Sequence, residues 1–505
     1  MAENFIYIES SSIDAKVLKN CGAIIPAFLP GKTVRFSEPG RNDFFSEILK
    51  IELGPELTSF HLRYYKKNKL LLAKEYDLFL DFERDFTLPG KETLYQIQVK
   101  RAIYLFLQNL TGKSVPWGIL TGVRPGKLVF RMQQLEIPKV SQRKILKELY
   151  MVSDEKIQLL WDVVETQKNT LKKENQYKNN VAVYISIPFC PSRCFYCSFP
   201  SQSLESHNNK NLFLVYLNTL KKEIEVIGNL MKRYNLRADK IYIGGGTPTV
   251  LNAEQLANLL ETVQKNISII PGSEYTVEAG RPDTLDKSKM EVMVQYGINR
   301  ISINPQSMND KTLKTIGRTH TAAEIVAKYY EARAVADWTI NMDVILGLPG
   351  EGLDEIKQST ERILQLKPDN ITVHALALKK GSKAWEQQYT HANDKDWLNI
   401  QRYVEQRLAN EGYGPYYLYR QKNIVGNLEN IGYSLPGKEC RYNIVMIEEK
   451  QAILGLGAGA TSKLFYNETQ HENIYSSSDV NFYIDNFEQI YRKKEKNFAD
   501  IYSDI

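Results

Sequence analysis

The 505-residue sequence predicts an α/β protein: a partial (β/α)6 barrel of the TIM type, with an α+β domain before it and a small domain after it. Three observations lead there. At roughly 150 residues per domain, the length suits about three domains. The middle of the chain alternates strand-like and helix-like patterns with a period of about 30 to 40 residues. The first strand-like run is apolar and β-branched, and buried parallel strands joined by helices close most naturally into a barrel or part of one, with its chemistry at their C-terminal ends.

The first strand is VAVYISI at 181–187, and the amphipathic stretch from Asn211 follows it with apolar residues at three- and four-residue spacing. The unit recurs as KIYIGG before AEQLANLLETVQ, EYTVEA before KSKMEVMVQYG, RISINP before AAEIVAKYYEARA, and INMDVILG before LDEIKQSTERILQL, and it closes on NITVHAL. Six strands result, and the barrel is expected at 178–378. Residues 1–170 mix strand-like pieces such as FHLRYYKKNKLLLAKEY with helical segments around Thr93–Leu110 and Val140–Lys168, which reads as α+β. The charged stretch NTLKKENQYKNN has no apolar face to bury and is the expected linker. Residues 380–505 hold a helix near Asp396–Gly412 and then aromatic- and glycine-rich segments, expected to form a separate small domain.

Apolar residues at 43% and charged residues at 25% exclude collagen-like, low-complexity and wholly disordered classes. Sixty-five Lys plus Arg against 59 Asp plus Glu give +6, too small an excess for a dense nucleic-acid-binding stripe, so no nucleic-acid partner is expected and any anionic partner must be met locally. No apolar run approaches the ~18 residues that span a bilayer. MAENFIYIES is neither basic nor followed by a cleavable apolar core, and a cytoplasmic protein is expected.

Five cysteines are too few and odd in number for a disulfide framework, yet Cys190, Cys194 and Cys197 crowd into eight residues just after the first barrel strand. Thiolates separated by three and two residues can converge on one face of a cube-shaped iron–sulfur cluster and leave its fourth iron without a protein ligand. The competing reading is a structural zinc site or inert thiols; zinc wants a fourth Cys or His nearby, and His207 lies ten residues on without a partner at ligand spacing. Cys21 and Cys440 read as isolated thiols. The second strand runs into Gly244, Gly245, Gly246, Thr247 and Pro248, where backbone can approach a ligand closely and bare amides can meet a carboxylate or ribose. Alone, such a loop is more often a tight turn.

CPSRCFYC followed by GGGTP after the next strand resembles the radical S-adenosylmethionine superfamily, in which the open iron chelates the methionine amino and carboxylate groups. RISINPQSMNDKTLKTIGRTH, NMDVILGLPGE and ILGLGAGATSK are similar to the oxygen-independent coproporphyrinogen III dehydrogenase family, the last in its closing domain. PWGILTGVRPGKL and GPYYLYRQKNIVGNLENIGY resemble the HemZ branch. The resemblance implies a [4Fe-4S] cluster on Cys190, Cys194 and Cys197. It implies that S-adenosyl-L-methionine contacts Tyr184, Tyr196, Gly245, Gly246, Thr247, Glu278, Gln306, Arg318, Asp343 and Ala377. By chemistry, Glu278 or Asp343 can hold ribose hydroxyls or the methionine ammonium, and Arg318 can fork onto a carboxylate. Structural ion pairs and core aromatics are the bland alternatives for these residues.

The implied partners are a tetrapyrrole substrate and an electron donor such as a flavodoxin or ferredoxin. The implied reaction abstracts a hydrogen from a propionate, which loses carbon dioxide and becomes a vinyl group. Two rounds convert coproporphyrinogen III to protoporphyrinogen IX, in haem biosynthesis. The dehydrogenases of known type carry a further cysteine two residues after the third, where this chain has Phe199, and Ser186 stands where relatives often have His. Both features resemble the branch of haem chaperones, and a radical methyltransferase on the same scaffold is a third reading. Arg124, Lys127 and Arg131 read either as substrate contacts or as a solvated basic helix start; Tyr416, Tyr417 and Tyr419 read as core aromatics or as a stacking surface for a macrocycle.

Overall fold

The computed structural model describes residues 5–37, 46–54, 59–77, 92–172, 179–390, 396–466 and 470–502. The chain divides into two units, residues 1–164 with 419–427, and residues 165–418 with 428–505.

In the first unit, β1 (Phe5–Glu9), β2 (Thr33–Phe36), β3 (Glu47–Leu53), β4 (Ser59–Lys66) and β5 (Lys69–Asp77) form a sheet in the order β2-β1-β3-β4-β5. The stretch read as strand-like becomes the β4–β5 hairpin, which turns at Lys67 and Asn68 with φ of 47° and 62°. Helix Leu94–Thr111 starts on a reciprocal Thr93–Gln96 capping box, ends at Gly112 with φ 69°, and buries Ile97, Ile103, Phe106 and Leu107. The segment read as one helix from Val140 is two, ending in a π turn at Ile145–Leu149 and resuming at Asp154–Lys172. The expected linker begins inside that last helix; its residues 173–178 lie outside the described residues. Residues 419–427 belong here because Arg420 stacks its guanidinium over Trp117 at 5.1 Å, donates to the Leu120 carbonyl and, at 2.7 Å, to Asn427 Oδ1. Its backbone N–H meets the Val123 carbonyl at 2.8 Å. The two motifs that carry the HemZ resemblance therefore pack on one another.

In the second unit the six expected strands all form: β6 (Asn180–Ile187), β9 (Arg237–Gly245), β10 (Ile269–Val277), β11 (Arg300–Ser302), β12 (Thr339–Leu346) and β13 (Asn370–Ala375). They pair in parallel in that order. The short β7 (Phe189–Cys190) and β8 (Gln202–Ser203) pair with each other in the loop after β6. Helices 207–233, 253–266, 287–295, 322–335 and 353–366 make the crossovers. Their starts are local in origin: Ser206, Asn252, Asp286 and Thr321 each accept a first-turn N–H. β11 stops at Ser302 because Pro305 has no N–H to donate, and the sheet resumes only at the Gln306–Val344 bridge.

The C-terminal strands β14 (Gly414–Tyr419), β15 (Asn430–Ser434), β16 (Ala452–Leu456), β17 (Thr461–Phe465) and β18 (His471–Tyr475) extend this sheet at both edges. β15 lies antiparallel to β13, and β16 lies parallel to β6. No break in the sheet marks the boundary expected at 380. The last helix, Phe487–Tyr502, is pinned by Lys494, which donates to Glu223 Oε1 and the Gly455 carbonyl, both at 2.6 Å. Among the described residues no helix is long and apolar enough to cross a membrane.

Candidate active site

The cysteine loop is held from three sides. The Leu204 N–H donates to the Cys190 carbonyl at 2.9 Å, the Thr247 N–H to the Phe189 carbonyl at 2.8 Å, and the Phe195 N–H to the Ile316 carbonyl at 2.9 Å. All three thiols are free; Cys194 is buried and the other two are half-buried. Thr247 Oγ1 donates to Cys190 Sγ at 3.4 Å, and buried Arg281 donates from Nη1 to Cys194 Sγ at 3.5 Å. Burial pushes the Cys190 thiol up and raises Cys197 to about 11. Buried sulfurs of this kind ionise only against positive charge; the Arg281 guanidinium supplies some, and bound iron would supply the rest. The donor set therefore suits a thiolate-held cluster.

The glycines serve geometry. Gly245 has φ 108°, and a Cβ there would sit 3.0 Å from Ser186 Oγ; a Cβ on Gly246 would sit 2.5 Å from the Phe189 carbonyl oxygen. The amides expected to face a ligand have protein acceptors instead. Gly245 N–H donates to Glu278 Oε2 at 3.1 Å, Gly246 N–H to the Ile187 carbonyl at 2.9 Å, and Thr247 N–H to Phe189 as above. The loop thus couples β6, β9 and β10. Phe199 packs its ring edge over Gly245.

Most remaining expected residues join one network. Glu278 Oε1 accepts from Tyr242 Oη at 2.5 Å. Burial, reinforced by the negative charge of Asp343, pushes the Glu278 carboxyl up to about 7 despite the Tyr242 and Gly245 hydrogen bonds. Asp343 is pulled the other way: burial opposes its ionisation, but the His374 imidazole, 3.7 Å from Oδ2, and a hydrogen bond from Asn341 Nδ2 at 2.7 Å hold it below the ordinary range. Asn304 Nδ2 also donates to Asp343 Oδ2, at 2.7 Å. Tyr184 stacks on Tyr242 and Tyr442, with ring centroids 6.2 Å apart in each pair. Tyr184 and Asp343 lie within β6 and β12 rather than at strand ends; Glu278, Gln306 and Ala377 lie just past β10, β11 and β13.

The fork of Arg318 does not wait for a ligand carboxylate. Nη1 donates to the Gly280 and Asn304 carbonyls at 2.9 and 3.2 Å, and Nη2 to Tyr196 Oη at 2.8 Å, which ties the cysteine loop to β11. Its Nε is buried without a partner, and so is Gln306 Oε1. Gln306 also holds φ 64°, a left-handed conformation fixed by its N–H on the Asp343 carbonyl at 2.9 Å and its carbonyl accepting from Ile345 at 3.0 Å. A left-handed non-glycine backbone carrying a buried amide oxygen without a protein partner leaves Gln306 Oε1 free to accept a hydrogen bond. Ala377 is buried and contributes no side-chain polar group.

Sequence reasoning missed Arg281, Tyr242, Asn304 and His374. Tyr242 sits two residues before Gly244 on β9, the strand that runs into the glycine loop, and alternation could have found it; Asn304 lies past the end of β11 and has no such register. Arg281 and His374 carried no such signal. Arg124, Lys127 and Arg131 lie on or beside helix Gly126–Gln134 of the first unit; Tyr416 and Tyr417 are buried, in line with the core reading.

A parallel partial barrel with a three-thiol loop after its first strand defines a radical S-adenosylmethionine protein, and the radical SAM superfamily matches residues 184–363. Within that superfamily the chain belongs to the HemZ-like family. It is 40% identical to the oxygen-independent coproporphyrinogen-III oxidase-like protein HemZ of Bacillus subtilis, over 80% of this chain and 82% of that protein. It is 30% identical to the haem chaperone HemW of Lactococcus lactis, over 56% of this chain and 69% of that one. The solved structure of coproporphyrinogen III oxidase (HemN) from Escherichia coli shares the fold, with a TM-score of 0.50 and 19% identity over 65% of this chain and 72% of that chain. The superfamily uses a [4Fe-4S] cluster and S-adenosylmethionine.

Proposed function

We propose that this chain is an oxygen-independent coproporphyrinogen III dehydrogenase, which turns two propionates into vinyl groups and yields protoporphyrinogen IX. The observation that carries the reading is the extent of the likeness to HemZ, whose 413 aligned residues exceed the barrel and everything after it, so the match reaches into the first unit. When bound, the cluster and S-adenosylmethionine supply a hydrogen-abstracting carbon radical.

Cys190, Cys194 and Cys197 would hold the cluster, with Thr247 and Arg281 donating to the Cys190 and Cys194 sulfurs. Gln306 Oε1 and Arg318 Nε offer an acceptor and a donor to S-adenosylmethionine, while Glu278 and Asp343 keep lone pairs for its hydroxyls and ammonium. Tyr184, Tyr196, Gly245, Gly246, Thr247 and Ala377 shape the walls. The protein's work is to hold the reacting propionate carbon in a near-attack position and to exclude water and oxygen. Each round removes one hydrogen atom and carbon dioxide from a propionate and passes one electron to an acceptor.

The test is an anaerobic assay with reconstituted protein, S-adenosylmethionine, reductant and coproporphyrinogen III, read by product mass. Appearance of the divinyl product supports the reading. A second reading, haem carriage, is favoured by Phe199 in place of the further cysteine and by the HemW likeness. Stable haem binding with no vinyl product would replace the first reading by the second.

A further inference from the structure

Residues 379–386, KKGSKAWE, follow the sixth barrel strand and are fastened onto the cysteine loop. Ala384 N–H donates to the Phe195 carbonyl at 2.9 Å. Just beyond, the Tyr389 ring packs edge-on against Phe195 at 5.5 Å. Arg193, between two of the cysteines, donates to the Gly381 carbonyl and, at 3.1 Å, to Glu386 Oε1. Lys379 lies within electrostatic reach of Cys197. This surface is therefore the solvent-facing cover of the loop that carries the thiols.

Its charge is one-sided. Lys379, Lys380 and Lys383 are all exposed, and among the described residues none of them has an ion pair, whereas Arg193 and Glu386 neutralise each other. The patch thus carries three net positive charges, half of the +6 of the whole chain, in eight residues plus Arg193. Trp385 stands among them 45% exposed, its backbone N–H fixed on Ser382 Oγ at 3.1 Å. An exposed aromatic with exposed lysines close to it in the chain suits a protein-docking centre, in which the ring anchors and the charges steer.

We propose that residues 379–386 with Arg193 form the docking surface for an acidic one-electron donor protein, which reduces the cluster through the cysteine loop. One electron leaves the donor and enters the cluster, and no bond forms or breaks. The inference rests on the cluster common to the superfamily and not on the tetrapyrrole reading.

Cluster reduction needs no substrate, so a chain that makes no vinyl product still takes the test. The full chain, reconstituted without air, is mixed with reduced flavodoxin or with reduced ferredoxin, and the reduced cluster is followed by freeze-quench electron paramagnetic resonance. Dithionite serves as a small reductant that needs no docking. For the donor that reduces the wild type, the expected rate falls with rising salt and drops about tenfold in Lys380→Glu/Lys383→Glu, and several-fold in Trp385→Ala, while dithionite reduces all three alike. If the reversed pair does not load a cluster, Lys380→Gln/Lys383→Gln takes its place, with a smaller loss expected. Equal donor rates in wild type and variants, a salt-independent wild-type rate, or no reduction by either donor overturns the proposal. So does a variant that keeps its donor rate but binds coproporphyrinogen less well, which would give the patch to substrate carboxylates.

Discussion

Arg281 Nη1 donates a hydrogen bond to Cys194 Sγ at 3.5 Å, although the two residues are 87 positions apart in the chain. The guanidinium is clamped by Asp283, which accepts from Nε at 3.0 Å and Nη2 at 2.9 Å, and its Nη groups also reach Ser192 Oγ at 3.3 Å. His320 Nδ1 lies 3.4 Å from Asp283 behind it. A buried cation is thereby fixed against one of the three sulfurs.

Reduction adds negative charge to a cluster, and a fixed cation stabilises that state. Arg281→Met is expected to lower the cluster's midpoint potential by on the order of 50 mV, close to the 59 mV that a tenfold change in a one-electron equilibrium represents. A redox titration followed by electron paramagnetic resonance reads it. A potential that stays put or rises would remove Arg281 from this role.

Glu278 gives a pH signature. Its folded-state value of about 7 lies above the ordinary 4.5, so the folded chain binds the proton more tightly than the unfolded chain does. The stabilisation is fully present below about 4.5, falls as pH rises, and is gone above about 7; the shift sets its size at about 3 kcal/mol as an upper figure. Denaturant unfolding of the apo chain between pH 5 and 8 should show this decline, and Glu278→Gln should flatten it. An unchanged slope in the variant would contradict the buried, proton-sharing carboxyl.

At Gly246 the constraint is steric. A Cβ would meet the Phe189 carbonyl oxygen at 2.5 Å, and that backbone is the strand leading into Cys190. Gly246→Ala should therefore reduce iron bound per chain after reconstitution at least several-fold, while far-ultraviolet circular dichroism keeps the folded signal. Full iron loading would show that the loop can move aside.

The Lys494–Glu223 pair is a test of stability away from the site. Glu223 accepts from Lys494 at 2.6 Å, Tyr483 at 2.6 Å and the Gly457 N–H at 2.7 Å, and both charged groups are buried. Lys494→Met strands a buried carboxylate and should lower unfolding free energy by about 3–5 kcal/mol; Lys494→Met/Glu223→Met should recover much of that. Equal losses in the single and double variants would mean that packing, not charge, holds the last helix.

The sequence by itself determined the six parallel strands, since strand-like and helix-like patterns alternate at a regular period, and their helices carry their own caps at Asn252, Asp286 and Thr321. It determined the thiol loop too, because ligand spacing within eight residues is a local property. What only the tertiary structure decided is non-local. The edge strands β14 to β18 join the barrel sheet because a parallel sheet leaves unpaired N–H and C=O groups at both edges, and nothing in a short strand names its neighbour. The glycine amides and the Arg318 fork turn inward to Glu278, Ile187, Phe189, Gly280 and Asn304, because a buried donor must find an acceptor and the nearest ones come from other strands. The same rule, applied across three loops, put Arg281 on Cys194.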